Sequence, residues 1–581
     1  MNFLSDIKLP HIQRKNKQVH DLATRSHVRK IVVVGGVAGG MSFAARARRL
    51  SESTSITVFE QGSYVGYANC GIPYALGGII SSSEALILQT PESIKSRYNI
   101  VVRPNCQVTR IDRKKKTIEY TNREGETGTM EYDRLVLAQG AEPLTPSIPG
   151  IHDRQVFHLQ TIPHMEAIKR HITVHSSRSA IIIGGGFIGL EAAESLSALG
   201  LKVSIVEYLP HVFPPIDPDI AEALHFELMK HNIDLYLDAR VETIDHSKTP
   251  KLSSCVTLRS GEKIQGEIII CVAGMRPRTA LAEQAGLHVN QFGIITDTHM
   301  RTTDHHIYAV GDMACTINRV TGREENLALA GPANRQGRLV ADHMFGRPVI
   351  YRGNVNTVVC KVFDIHVGIV GYSVSNLRAQ DLDTEYITVH PPDHARYYPG
   401  SSEMTLKLAF SRHNGKILGA QVVGKSGVDK RLDVVATCMQ ASMTVFDLED
   451  LELGYAPPFG SAKDPVNMAG FVASNVLRGD VEIVHPETLT LDSLRYYQIL
   501  DVRSELEYAR GHVKNAILCP LDELRDRLPG LDNSMKVLVY CQVGYRGYLA
   551  YRILKQAGFS AANLDGGFKK IAQFGYQTLI A

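Results

Sequence analysis

Short apolar runs, each closed by a glycine-rich turn and followed by a helix-forming stretch, recur along this chain. The first is Ile31-Val32-Val33-Val34, which enters Gly35-Gly36-Val37-Ala38-Gly39-Gly40 and then the stretch Met41 to Leu50. A second run, Ile56-Thr57-Val58-Phe59, ends in Glu60. The same order returns as Ala180-Ile181-Ile182-Ile183, Gly184-Gly185-Gly186-Phe187-Ile188-Gly189, Leu190 to Leu199 and Val203-Ser204-Ile205-Val206-Glu207. Short apolar runs bounded by turn residues predict strands buried on both faces, so each copy predicts strand, turn, helix, strand. Near the C-terminus Val537-Leu538-Val539-Tyr540 predicts another strand, entering Cys541-Gln542-Val543-Gly544-Tyr545-Arg546 and a further helix.

Glycines let such a turn tighten and the helix approach the strand, while free N–H groups at the helix start bind a pyrophosphate. An acidic residue ending the second strand is placed to accept from a ribose hydroxyl. The second copy obeys the G-x-G-x-x-G fingerprint in full; the first has Val37 at its second glycine position. One glycine loop is weak evidence, but two copies with matching acids imply two dinucleotide sites, and hence electron transfer between a flavin and a nicotinamide. Glu207 would repel the 2′-phosphate of NADP, which favours NADH and leaves NADPH as the alternative.

Composition narrows the setting. At 581 residues the chain is long enough for several domains, and 44% hydrophobic with 21% charged residues describes a globular protein. A net charge of +3, with no dense basic stripe, points away from nucleic acid. Nine cysteines lack paired zinc spacing and form no disulfide framework, so no metal is expected and a reducing, cytoplasmic setting fits. No run approaches the ~18 apolar residues that span a bilayer. Residues 1–28, polar and moderately basic, are expected to be a disordered extension rather than a targeting segment.

Cys70 lies in Tyr67-Ala68-Asn69-Cys70-Gly71-Ile72-Pro73-Tyr74, where a helix is expected to start and its dipole to favour thiolate. For Cys106, Cys255, Cys271, Cys360, Cys438 and Cys519 the plainer role of a small packed hydrophobe is preferred. Cys315, close after Asp312, is less settled.

Further segments give the chain a resemblance, over roughly residues 29–480, to the two-dinucleotide flavoprotein disulfide reductases. Ala138-Gln139-Gly140-Ala141-Glu142-Pro143 looks like the crossover out of the FAD domain, with Gln139 in place of the usual hydroxyl residue. Ala273-Gly274-Met275-Arg276-Pro277 looks like the return crossover, and Tyr308-Ala309-Val310-Gly311-Asp312 like the segment whose aspartate bonds the flavin ribityl chain. The resemblance implies FAD and NAD(P) contacts at Gly35, Val37, Ala38, Gly39, Gly40, Glu60, Asn69, Val108, Ala138, Gly140, Gly184, Gly186, Gly189, Glu207, Gly274, Gly311, Asp312 and Ala330.

Relatives with a dithiol carry a second cysteine five residues before this one, where Val65 stands, and peroxidase relatives carry a histidine where Ala38 stands. The remaining single-cysteine group is the coenzyme A disulfide reductases and their persulfide-reducing relatives, whose N-C-x-x-P-Y motif resembles Asn69 to Tyr74. That likeness implies two substrate-side tyrosines, Tyr397 in Arg396-Tyr397-Tyr398-Pro399-Gly400 and Tyr455 in Gly454-Tyr455-Ala456-Pro457-Pro458. It implies contacts to coenzyme A, as substrate or bound ligand, from Arg46, Arg49, Asn69, Asn334 and Lys463. The plainer role for arginines on a helix is a solvated face. Gly66 and Tyr98 replace the serine and lysine of a coenzyme A reductase, which weakens that specificity.

From Ile499-Leu500-Asp501-Val502-Arg503 onward the chain resembles the rhodanese family. A cysteine at the end of a strand starts a loop whose N–H groups converge on its sulfur and stabilise an anionic persulfide. Cys541 and Arg546 enclose four residues, one fewer than in the related phosphatases, which favours sulfur chemistry over phosphate.

The expected architecture is therefore α/β. It comprises an FAD-binding Rossmann-like domain (29–150 and 275–345), an NAD(P)H-binding one (151–274), an α+β dimerisation domain (346–480), a linker (481–493) and an α/β rhodanese domain (494–581). The expected function is NAD(P)H-dependent reduction, by a homodimer, of small persulfides, polysulfides or coenzyme A disulfide. Cys70 would attack sulfur, Cys541 would carry sulfane sulfur, and Tyr397, Tyr455 and Arg546 would assist. The alternatives are an NADH oxidase or peroxidase cycling Cys70 through sulfenic acid, and a sulfur carrier or redox sensor with slow turnover.

Overall fold

The computed structural model describes residues 28–246 and 253–581; the extension expected at 1–28 lies outside these but for Val28. Two parallel sheets repeat one design. The first orders its strands Ile307–Ala309, Arg134–Leu137, Lys30–Val34, Ser55–Phe59 and Val101–Arg103, so a late segment closes the edge of an early sheet. In the second the order is Asp234–Tyr236, Lys202–Val206, Ser179–Ile183, Ile268–Cys271 and Val156–Phe157. Their central strands are almost wholly buried, as continuous apolar runs require.

The helices after the two glycine turns run Ala38–Arg48 and Phe187–Ala198, each starting three residues before the expected Met41 and Leu190. The helix begins inside the turn because its first N–H groups need no partner from the chain. A carbon added at Gly40 would meet the carbonyl oxygen of Gly35 at 1.9 Å, and one added at Gly189 would meet that of Gly184 at 2.0 Å. Only glycine permits these contacts. Helix Ala38–Arg48 also lies close against Ala330–Met344, where a carbon at Gly337 would sit 2.3 Å from the Gly39 carbonyl oxygen.

An antiparallel sheet follows, ordered Val358–Val362, Ile365–Gly371, Ile417–Gly424, Met404–Phe410 and Glu385–Val389, and packed by helices Val428–Gln440 and Pro465–Leu477. The last sheet is parallel, ordered Ile483–Val484, Ala561–Leu564, Lys536–Tyr540, Tyr497–Asp501 and Ile517–Leu518. Ile483–Val484 is thus a strand of that sheet, inside the segment 481–493 expected to be a linker, and Val481, Pro486 and Leu489 pack inward there.

A buried charge cluster joins this last unit to the rest. Lys570, 1% exposed, donates to Asp565 Oδ2 (2.8 Å), Thr388 Oγ1 (3.0 Å) and the Tyr386 hydroxyl (3.3 Å), and lies 3.6 Å from Asp219. Lys407 bridges Asp217 and Asp219, each at 2.9 Å. Burial alone would raise Asp565, yet Lys570 and His485 hold it well below the usual carboxylate range. Beside them His390 bonds the Gly566 carbonyl at 3.1 Å and is pushed down to about 3 by burial and Lys569.

Removing one partner of a buried ion pair leaves an uncompensated charge, so Lys570→Met is expected to cost about 3–5 kcal/mol. The solvent-exposed pair Arg495–Asp492 is the comparison. Urea unfolding followed by far-UV circular dichroism should show the first variant strongly destabilised and Arg495→Met unchanged; equal midpoints would contradict this role.

Candidate active site

At the first glycine turn, Glu60 accepts from Gly36 N (2.8 Å) and Gly62 N (2.7 Å). Glu207 does the same at the second, accepting from Gly185 N (2.6 Å) and Leu209 N (2.8 Å). Each acid therefore pins the turn in its own copy while facing the cleft. Burial pushes the Glu60 carboxyl up, opposed by those backbone donors. Gly35, Glu60, Val108 and Gln139 line one pocket. Gly184, Gly186, Glu207 and Gly274 line a cleft of about 960 Å³.

The polar groups around this turn suit a bound flavin. The Gln139 side-chain oxygen is buried without a partner, an unmet acceptor at the position where relatives carry a hydroxyl. No hydrogen bond reaches the Asp312 carboxylate among the described residues, and burial raises its affinity for a proton; a ribityl hydroxyl would satisfy it. Asn326 fixes the backbone there by donating to the Asp312 carbonyl (2.8 Å), and Gln336 accepts from Gly311 N (2.7 Å). Ala138 and Gly140 border the Gly35 turn, whose added carbon would meet the Ala138 carbonyl oxygen at 2.1 Å. Ala330 opens the helix that carries Gln336.

Cys70 sits in a short 3-10 turn, Asn69–Gly71, running into the five-residue helix Ile72–Leu76. Pro73 fits the first turn of that helix and Gly77 caps it. The expectation of a thiolate favoured by a helix dipole is corrected here. The residue is open to solvent on one side, but burial of its sulfur, then the carboxylates of Glu191 and Asp312, push the thiol up. Val65, where dithiol relatives carry a second cysteine, is buried, and a carbon added at Gly36 would meet its side chain at 2.9 Å. Of the other cysteines, Cys255 is partly exposed and Cys106, Cys271, Cys315, Cys360, Cys438 and Cys519 are buried.

Not every expected substrate contact is free. Arg46 is committed to Asp342, donating from Nε (2.9 Å) and Nη2 (2.6 Å). Asn334 donates to the Ala330 carbonyl (2.8 Å) and accepts from Ser42. Both therefore brace helix Ala38–Arg48 against Ala330–Met344. Arg49 and Asn69 are exposed. Tyr397 and Tyr455, 58 positions apart, meet hydroxyl to hydroxyl at 3.0 Å on an exposed face.

The second thiol has different surroundings. Cys541 is fully buried at the end of strand Lys536–Tyr540, and Gly544 N donates to its sulfur at 3.2 Å. Arg546 holds Glu507 through both guanidinium nitrogens (2.8 and 2.6 Å), which drives that carboxyl down to about 2. Cys541 borders a cavity of about 570 Å³ that is also lined by Arg396 and Lys463 of the preceding unit. Glu507 was visible in the sequence only as part of the rhodanese-like stretch. Glu191, which touches the Cys70 neighbourhood from 121 positions away, carried no signal there.

Residues 29–337 match the family described as pyridine nucleotide-disulphide oxidoreductase, 357–465 its dimerisation domain, and 490–573 the rhodanese-like domain. The coenzyme A disulfide reductase of Staphylococcus haemolyticus (strain JCSC1435) is 32% identical over 453 residues, 77% of this chain and 100% of that one. Two solved structures span nearly the whole chain. Reduced CoADR-RHD of Bacillus anthracis is 41% identical with a TM-score of 0.92, covering 95% of this chain and 99% of its own. The NAD-dependent persulfide reductase from A. fulgidus is 34% identical with a TM-score of 0.87, covering 93% and 99%.

The Gly40 contact generates a direct test. Gly40→Ala drives a carbon into the Gly35 carbonyl, whereas Gly530→Ala meets nothing within 4 Å. The first variant is expected to purify with less than about a tenth of the wild-type flavin content, since a shift of that turn removes the pyrophosphate N–H groups. The second should match wild type. Full flavin content in Gly40→Ala, by visible absorbance, would contradict the assignment.

Proposed function

This chain belongs to the pyridine nucleotide-disulphide oxidoreductase family and carries a rhodanese-like domain, and on that premise we propose that Cys70 reduces sulfane sulfur delivered by Cys541. The enzyme is an oxidoreductase of FAD and NAD(H). No helix among the described residues is long and apolar enough to cross a membrane.

When bound, FAD supplies the two-electron relay between NADH and a sulfur. Gly35, Gly36, Glu60, Gln139 and Asp312 hold it. The Cys70 thiolate attacks the sulfane sulfur of a persulfide, breaking its S–S bond and forming an enzyme persulfide, while the original thiolate departs. A tyrosine hydroxyl donates a proton to that departing thiolate. Two electrons from NADH then release hydrosulfide and restore Cys70. The sum is persulfide, NADH and one proton giving thiol, hydrogen sulfide and NAD+. Coenzyme A disulfide is reduced by the same attack, with a second thiol in place of sulfide, and polysulfide enters through Cys541.

The observation that carries the coupling is the cavity at Cys541. Its lining mixes rhodanese residues with Arg396 and Lys463, and Arg396 adjoins the hydrogen-bonded pair Tyr397–Tyr455. A small thiol such as coenzyme A, with anionic groups for Lys463, is the carrier between the two sulfurs; Arg396 is held by Glu403 at 2.7 Å. Tyr397 (76% exposed) and Phe459 (71%) stand on a face suited to a second subunit, so the tyrosines serve the partner's thiol in a homodimer.

Anaerobic sulfide release tests the reading. With coenzyme A persulfide and NADH, Cys70→Ser is expected to lose at least about 100-fold in rate, as loss of a covalent nucleophile does. Cys541→Ala should keep that activity and lose turnover with thiosulfate or polysulfide. Sulfide release that survives Cys70→Ser defeats the proposal.

A further inference from the structure

Against the Cys541 loop lies a second stretch, residues 563–569, which leaves strand Ala561–Leu564 and enters helix Gly567–Gln573. Three of its donors meet carbonyls of the loop. Phe568 N donates to the Cys541 carbonyl at 2.8 Å, Lys569 N to the Gln542 carbonyl at 2.9 Å, and the Asn563 amide Nδ2 to the Gly544 carbonyl at 3.3 Å. The approach is close, since a carbon added at Gly567 would lie 2.6 Å from the Cys541 carbonyl oxygen and 2.9 Å from Gly544 N. Of the three donors, Asn563 alone acts through its side chain. That residue is 7% exposed and borders the Cys541 cavity. Its Oδ1 is buried without a hydrogen-bond partner beside Gly547, where an added carbon would stand 2.3 Å away. A buried amide oxygen left unmet costs free energy, so its presence here points to a task for the Nδ2 donor.

We propose that Asn563 is a positioning residue that fixes Gly544 so that its N–H stays aimed at the sulfur carried on Cys541. This rests on the reading of Cys541 as a sulfane-sulfur carrier. Gly544 is held on both sides: its N–H donates to the Cys541 sulfur at 3.2 Å, and its carbonyl accepts from Tyr548 N at 2.9 Å as well as from Asn563. At φ +98° it occupies a left-handed conformation that glycine enters and leaves with ease, so a brace on its carbonyl narrows its choices. In loading, the Cys541 thiolate bonds to the outer sulfur of thiosulfate, and sulfite departs with the electron pair of the broken S–S bond. The negative charge then rests on the outer sulfur of the new persulfide, and a fixed N–H beside it steadies that charge without reorganising.

The test uses the FAD-loaded full chain without NADH. Cys541 is loaded from thiosulfate, the donor is removed, and the persulfide remaining on the Cys541 peptide is followed by mass spectrometry after iodoacetamide trapping. Asn563→Leu, similar in shape but with no N–H to give, should shed its sulfane sulfur about fivefold faster than wild type, as the loss of one buried hydrogen bond allows. During loading its limiting rate should fall by a similar factor while the half-saturating thiosulfate concentration stays put, because the amide acts on Gly544 and not on the donor. Asn563→Asp keeps the size, lacks the donor and carries the same expectation should the leucine variant not fold. Tyr508→Phe, which loses a 2.8 Å bond to the Ala516 carbonyl in the same unit, should match wild type in both measurements. Wild-type retention in the Asn563 variants overturns the proposal, as does an equal loss in Tyr508→Phe or an effect confined to half-saturation. Wild-type Cys541 that takes up no sulfur from thiosulfate would instead defeat the carrier reading, and the proposal with it.

Discussion

Lys570 is a buried cation, and much of the arrangement around the second thiol follows from the need to compensate it. Its counterion Asp565 immediately precedes Gly566 and Gly567, and the helix that follows donates from Phe568 N to the Cys541 carbonyl (2.8 Å) and from Lys569 N to the Gln542 carbonyl (2.9 Å). Thr388 N donates to Asp565 Oδ1 at 2.7 Å from the antiparallel sheet. The loop that carries Cys541 is thus fixed through a cluster that also includes Asp219 and Lys407 of the two preceding units. An ion of this kind is costly to desolvate and persists only where partners surround it. A rhodanese-like unit held this way keeps the Cys541 cavity bordered by Arg396 and Lys463 of the preceding unit.

The two thiols sit in contrasting fields. Cys541 has a backbone donor at its sulfur and a guanidinium in its loop. Burial, then the carboxylates of Glu191 and Asp312, push the Cys70 thiol up.

What could be read from sequence was local. The strand, turn and helix of each nucleotide site, Glu60 and Glu207, and the two motif cysteines announce themselves within stretches of a few tens of residues, because hydrogen-bond geometry inside a turn dictates residue type there. What could not be read depends on contacts distant in sequence. Arg46 meets Asp342 across 296 positions, Tyr74 meets Glu191 across 117, and Lys407 meets Asp219 across 188. Arg46, expected at the substrate, has such a partner in Asp342. The helix expected to start at Cys70 is short, five residues between Gly71 and Gly77.

The central claim is that sulfur held on Cys541 is discharged at Cys70. It is tested most directly by loading Cys541 with radiolabelled sulfane sulfur from thiosulfate, removing the donor, and adding NADH with coenzyme A under anaerobic conditions. The account predicts that labelled hydrogen sulfide leaves the wild-type enzyme at close to one equivalent per chain, and that Cys70→Ser yields none. Label that stays on wild-type Cys541, or that leaves Cys70→Ser as sulfide at the same rate, would contradict it.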